Sequence, residues 1–421
     1  MRIVISNPGV GSFIQQTVRA FHEAGSLDRF YTTVALMTDC GLGSVLFTKY
    51  GSEKFRKRLA EKFYNRLILD IPSVNIHTFP VSEIARVIAT RLGWSEVGDT
   101  VWEWSEKRFD KLVSKNLEGL DAVYAYEHAA LETFRAAKIK GIRTIYEMPA
   151  PHHATTSRIL DAEYEKYPEL AGFQKQLSQS KTELRNQRRE QELRLADIVV
   201  CNSNVTRDSL INAGVESSRI IKVPLGMPAI PADSKRDAWG GKMICLYAGS
   251  ISLKKGVHYL LKAWETFGNR KDMELQLFGH MELPEATFKN LSDNVVINKP
   301  VSSLELREHY RSSSILLFPT LFDGFGMVVS EALAEGLPVL TTTRAGASEF
   351  IKDKYNGFIV PVCDPRAIVS VLEWCASNRD TLHDMRDACT ETARSWQWED
   401  YRHSISSAVR VRLASEAVGL V

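Results

Sequence analysis

Few cysteines, no long apolar run and almost no excess charge mark this chain, and each shortage removes a class of protein. The six cysteines, Cys40, Cys201, Cys245, Cys363, Cys375 and Cys389, form no C-x-x-C pair and no cluster with histidine at metal-ligand spacing. That pattern argues against a disulfide framework and fits a reducing cytosol. No stretch approaches the roughly 18 uninterrupted apolar residues of a membrane span. The apolar start MRIVIS is interrupted by Ser6, Asn7 and Pro8, too soon for a signal peptide. With 53 basic and 51 acidic side chains the formal net charge is +2, which offers no broad footprint for nucleic acid. The expectation is a cytoplasmic protein with no nucleic-acid partner, whose charged ligands are met locally.

What the chain does have is length and alternation. Its 421 residues exceed what one hydrophobic core usually organises, so two domains are expected. Short β-rich runs recur between segments of helical periodicity: 2–6, 32–37, 122–126, 143–148, 197–203 and 220–224, then 243–249, 275–279, 295–300, 314–320, 337–343 and 357–361. Strands alternating with helices predict an α/β fold, with parallel sheets covered on both faces. Two such series predict two doubly wound domains. The seam falls in PLGMPAIPADSKRDAWGG, 224–241, with a boundary near Pro228. Residues 391–421 read as a helical tail, with the first domain as its candidate docking surface. Residues 158–196 carry both charge signs among good helix formers and read as a solvated helical face.

The stretch LFDGFGMVVSEALAEGLPVL, 321–340, sets Asp323 and Glu331 either side of an apolar segment that opens with Gly324-Phe325-Gly326. It lies between two predicted strands, so its loop falls at the carboxyl end of a parallel strand, where open α/β sheets bind ligands. The glycines allow close approach, and the loop amides with the following helix start face a phosphate placed there. Carboxylates beside such a site suit sugar hydroxyls. Asp323 as a helix cap with Glu331 exposed is the plain alternative. A second glycine loop, LYAGSISLKKGVHYLLKAW, runs from a strand through Gly249 and Ser250 to Lys254-Lys255-Gly256 and an amphipathic helix. Lys255 at a helix start is a phosphate clamp in the making, although the spacing is not that of a P-loop.

Together these stretches resemble the retaining glycosyltransferases of family 4, the group 1 glycosyl transferases. That resemblance implies a GT-B architecture: an N-terminal acceptor-side Rossmann-like domain over 1–228 and a nucleotide-sugar donor-binding Rossmann-like domain over 229–390, facing a cleft. The family's Glu, seven residues, Glu pattern reads here as Asp323-x7-Glu331, and TTTRAGASEFIKDKYNGFIVP resembles the segment that follows its donor site. Carried over, Lys255 falls on the donor diphosphate, Gly324, Phe325, Gly326, Met327 and Val328 near donor sugar and phosphate, Asp323 on sugar hydroxyls and Glu331 on the ribose. Ser250 stands where the family usually has Arg, with Lys254 as the substitute charge. Asp323 shortens the first Glu by one methylene.

In the first domain NPGVGSF places Gly11 and Ser12 in a strand-to-helix turn that is not G-x-G-x-x-G. The resemblance lays this turn over the donor. Tyr126, Glu127 and His128 follow a predicted strand and are candidate acceptor contacts. IYEMPAPHH supplies Glu147, His152 and His153 where the family often has His-Asp, and any of the three could stand in for it. Residues 45–68 carry apolar Phe55, Leu59, Phe63 and Leu67 with flanking lysines and arginines. They fit either peripheral contact with the inner membrane face and its phosphorylated lipids or a domain helix with a basic outer surface.

The resulting expectation is a metal-independent retaining hexosyltransferase-like enzyme of cell-surface polysaccharide or glycolipid synthesis. It uses no cofactor beyond a nucleoside diphosphate sugar as co-substrate, and its acceptor is a saccharide or a lipid-linked molecule. A non-catalytic sugar-nucleotide-binding subunit of a polysaccharide assembly complex is the alternative. A hydrolase using Asp323 and Glu331 is disfavoured by the phosphate-type loops.

Overall fold

The computed structural model describes residues 1–37, 67–68, 71–81, 95–170, 174–231, 241–268, 270–289 and 291–418. The first sheet takes seven strands: β1 (Ile3–Ser6), β2 (Leu27–Thr32), β5 (Ile76–Thr78), β6 (Ala122–Tyr126), β7 (Arg143–Met148), β8 (Ile198–Cys201) and β9 (Ile220–Lys222). Two-residue strands β3 (Leu36–Met37) and β4 (Leu67–Ile68) pair apart from it. The spatial order is β5-β2-β1-β6-β7-β8-β9, and every pairing is parallel. The second sheet orders β10 (Met243–Ala248), β11 (Met273–Phe278), β12 (Val295–Asn298), β13 (Ile315–Phe318), β14 (Val339–Thr342) and β15 (Gly357–Val360) as β12-β11-β10-β13-β14-β15, again all parallel. Both are doubly wound sheets, each with a point where strand order reverses.

Why these segments are strands follows from burial. IVIS, AVYAY and ILLF are buried at every position, as a sheet covered by helices on both faces requires. One expected strand is misplaced: TTVALM at 32–37 gives way to Leu27–Thr32. There Phe30 and Tyr31 are buried and pair with Ile5 and Ser6, so core burial outweighs the local β-branched run. The stretch 158–196 is helical as expected, in His153–Lys166 and Gln174–Leu195 with a short 3-10 turn at Pro168–Leu170, and most of its described side chains are exposed or half-buried, although Glu163 and Glu192 are buried. The basic stretch 45–68 lies outside the described residues apart from Leu67–Ile68.

The chain crosses between the domains twice, and the crossings touch. Met227 N–H donates to Trp396 O at 3.0 Å, and the Trp396 indole donates to Pro224 O at 3.1 Å. Gly226 is obligatory there, because a Cβ would stand 2.4 Å from the Trp398 Cα. The last helix, Trp398–Val418, then lies on the first-domain helix Ser12–Glu23. Tyr401 Oη meets Thr17 Oγ1 at 2.7 Å, and Arg402 pairs with Glu23 at 2.8 Å. Among the described residues no helix is long and apolar enough to cross a membrane.

Candidate functional site

The second sheet reverses its strand order between β10 and β13, and the loops leaving those two strands meet. After β10 the chain turns at Gly249 (φ 132°) and Ser250, then reaches Lys254, Lys255 and Gly256. Gly256 (φ 69°) starts the helix Val257–Phe267, and a Cβ on it would stand 2.0 Å from Pro319 O in the other loop. That close approach delivers Lys255 to Asp323: the ammonium forms an ion pair with Asp323 Oδ2 and rests 5.3 Å from the Phe318 ring centre. Asp323 Oδ1 accepts from Phe325 N–H at 3.1 Å. Asp323 therefore does not cap the following helix, Met327–Ala334, which begins at Gly326 (φ 86°) with no side-chain cap.

Lys254 lies over the Phe322 ring at 5.0 Å, and burial, with Lys255 alongside, holds its ammonium below the usual lysine range. Ser250 supplies no cation; its hydroxyl sits 3.2 Å from Ser252 Oγ while its carbonyl accepts from Tyr247 Oη at 2.6 Å. Glu331 lies on the helix behind the loop and accepts from Tyr310 Oη at 3.0 Å. Glu331 is half-buried and holds that bond, so the exposed-Glu331 alternative fails, and burial raises its carboxyl above the usual range. Met327 and Val328 are half-buried at the helix start, whereas the Phe325 ring is buried and edge-on to Phe350, and its backbone is tied to Asp323 Oδ1 and to Ala347 N–H.

The first domain closes over this loop. A Cβ on Gly324 would stand 1.8 Å from Pro149 O, so the two backbones touch across the seam. At the reversal point of the first sheet, between β1 and β6, Gly11 caps the helix Ser12–Glu23 and Ser12 is exposed. Glu127, after β6, pairs with Arg189 at 3.1 Å; burial raises its carboxyl, opposed by Arg189, His153 and the second domain's Lys254. His152 and His153 both reach Glu190 Oε1, at 3.0 and 2.8 Å.

Three acceptor-side candidates are drawn inward instead. Tyr126 is buried, edge-on to Phe13. Glu147 is buried on β7 and accepts from Tyr124 Oη at 2.7 Å, with burial pushing its carboxyl up to about 7. His128 (φ 77°) accepts from Arg189 Nε at 3.1 Å and meets Trp102 edge-on, and burial pushes it down to about 3. Strand ends attracted these expectations, but the helix Gln174–Leu195 covers His128 there. Arg189 and Glu190 on that helix were missed. Apolar periodicity gives no signal for half-buried charged groups that pair across elements. A cavity of about 660 Å³ is lined by Tyr167, Leu170, His258, Leu261 and Trp264, on the flank of Val257–Phe267 rather than at its Lys255 end.

Comparison with known proteins agrees with this geometry. Residues 230–396 match the family described as glycosyl transferases group 1. Among curated relatives, a D-inositol 3-phosphate glycosyltransferase of Streptomyces coelicolor is 34% identical over 109 residues, 26% of this chain and 24% of the relative. Another, from Paenarthrobacter aurescens, is 27% identical over 252 residues, 52% of this chain and 61% of the relative. The chain thus spans less than two thirds of the length of these relatives. In fold it is similar to sucrose-phosphate synthase from Thermosynechococcus elongatus, with TM-score 0.64 and 15% identity over 99% of this chain and 100% of that one. It is also similar to Anabaena Alr3699/HepE in complex with UDP, with TM-score 0.62 and 16% identity over 98% and 100%. Residues 230–396 thus belong to the glycosyl transferases group 1, carried in a chain of GT-B architecture.

Proposed function

We propose that the protein is a retaining glycosyltransferase that moves a sugar from a nucleoside diphosphate sugar to a hydroxyl of a saccharide or lipid-linked acceptor. One observation carries this reading: Lys255 and Asp323 meet where the second sheet reverses its strand order, beside the Gly324–Gly326 amides and a helix start. Lys255 then takes the donor diphosphate in place of a metal ion, and the amides and helix start share its charge. Asp323, freed from the lysine, accepts from hydroxyls of the transferred sugar, and Glu331 takes the ribose. The bond from the sugar's anomeric carbon to the diphosphate breaks. A bond to the acceptor oxygen forms on the same face, and the acceptor proton passes to the leaving phosphate. Positive charge building on the ring is met by the departing diphosphate, so the protein's work is positioning and electrostatic stabilisation.

The UDP in the HepE complex makes uracil the first base to try. Thermal shift with UDP, GDP, ADP and their sugars, on wild type, Lys255→Ala and Glu331→Gln, tests the site. A ligand at about 100 times its dissociation constant adds roughly 2.7 kcal/mol. The expected result is stabilisation by one nucleotide family, abolished by Lys255→Ala and weakened by Glu331→Gln, which keeps an acceptor for Tyr310. No stabilisation by any nucleotide overturns the reading. The Ser250 departure, which leaves one cation fewer at the diphosphate, favours one second reading: a subunit that binds sugar nucleotide without turning it over. Release of free nucleoside diphosphate in the presence of acceptor extracts separates the two.

A further inference from the structure

His152, His153 and Glu190 come from two helices and converge on one point. Both imidazole Nε2 atoms stand against a single carboxylate oxygen, Glu190 Oε1, at 3.0 and 2.8 Å, and one ligand atom from each of the three residues lies within 4.8 Å of the others. The two rings are tilted with centres 4.3 Å apart. We propose that this triad is a binding site for one zinc-like divalent ion on the first-domain wall of the cleft, separate from the Lys255 donor site.

The donor set fits that class. Two imidazoles and one carboxylate suit zinc or a neighbouring late first-row ion rather than magnesium or calcium, and three protein ligands leave a fourth position open. Ligand atoms around a tetrahedral zinc lie about 3.3 Å apart, close to the 3.0 and 2.8 Å that separate the two Nε2 atoms from Glu190 Oε1. The scaffold is held firmly. His152 is buried, its N–H donates to Ser209 Oγ at 2.9 Å, and the Thr156 hydroxyl donates to His153 O at 3.0 Å. One contact opposes binding: His152 Nδ1 accepts from Ala154 N–H at a long 3.3 Å, and a ring bound through Nε2 carries its proton on Nδ1. That single cap bond is given up.

Position gives the ion a use. Pro149, three residues before His152, touches Gly324 of the donor loop. An ion here faces the acceptor side of the seam, with its open position available to an oxygen of a bound molecule.

The test is Co²⁺ titration of tag-free, metal-stripped full-length protein, followed by visible absorption and by calorimetry with Zn²⁺. The expected result is one ion per chain, with a four- or five-coordinate cobalt spectrum that Zn²⁺ abolishes. Glu190→Gln and His153→Gln should each weaken binding at least tenfold, while His403→Gln, at an exposed histidine outside the triad, leaves it unchanged. No saturable site, or a site indifferent to both triad substitutions, overturns the proposal. Should His153→Gln not fold, Glu190→Gln decides, since its amide oxygen still accepts from the imidazoles. UDP-induced thermal shift in the chelated samples reads the donor site independently, so the two proposals fail separately.

Discussion

Glu147 shows how far one residue's chemistry depends on where the fold puts it. On β7 its carboxyl is buried against Tyr124 and titrates near 7, against an ordinary value of 4.5. Its folded value is raised, so its contribution to stability is fully present below about pH 4.5 and is lost as pH rises through about 7, where the native state must ionise a buried acid. The gap corresponds to roughly 3 kcal/mol. Glu147→Gln keeps the acceptor for Tyr124 and removes the titration. Denaturant unfolding between pH 5 and 8 should therefore fall with pH in wild type and stay nearly level in the variant. Parallel profiles would mean that the carboxyl is not held as an acid. Sequence marked Glu147 as a polar residue at a strand end. Lys255 and Asp323 were legible because loop and helix start carry glycine signatures. Their ion pair was not, since the partners lie 68 positions apart.

At the scale of elements, the loop before Met327–Ala334 works because Gly324 lets it touch the first domain. Gly324→Ala places a Cβ 1.8 Å from Pro149 O, so one backbone must retreat. Overpacking of this kind costs about 1–3 kcal/mol. Gly11→Ala, with φ −56° and its nearest contact at 4.0 Å, should change stability by less than about 0.5 kcal/mol. Denaturant unfolding of both variants, with circular dichroism to show intact helices and strands, checks the contrast. Equal effects would remove the close approach as the reason for the glycine. Strand positions were mostly readable from continuous apolar runs. Leu27–Thr32 was not, because pairing with β1 chose Phe30 and Tyr31 over the more β-prone residues that follow.

For the whole molecule, the decisive contacts are those that return the chain to its beginning. Tyr401 is buried against Thr17, which joins the last helix to the first. Tyr401→Phe deletes one buried hydrogen bond while Thr17 Oγ1 keeps its bond to Phe13 O, and should cost about 1 kcal/mol. Tyr401→Ala also leaves a cavity and should cost about 3–5 kcal/mol. Denaturant unfolding measures both, and an Ala variant as stable as wild type would show that the tail does not hold the domains. The first domain was the candidate surface for this tail, but spacing alone does not name Tyr401 or Thr17, since a helical pattern states that a segment packs and not which residues it meets.

Sequence by itself determined two doubly wound halves and the two glycine loops that face a ligand, because strand burial, helix periodicity and turn chemistry are written within a few residues of one another. Tertiary structure alone decided which charges meet: Lys255 with Asp323, Glu127 with Arg189, and His152 and His153 with Glu190. Those pairings depend on crossover connections and on burial in a low-dielectric seam, where a charge is tolerated only beside its partner.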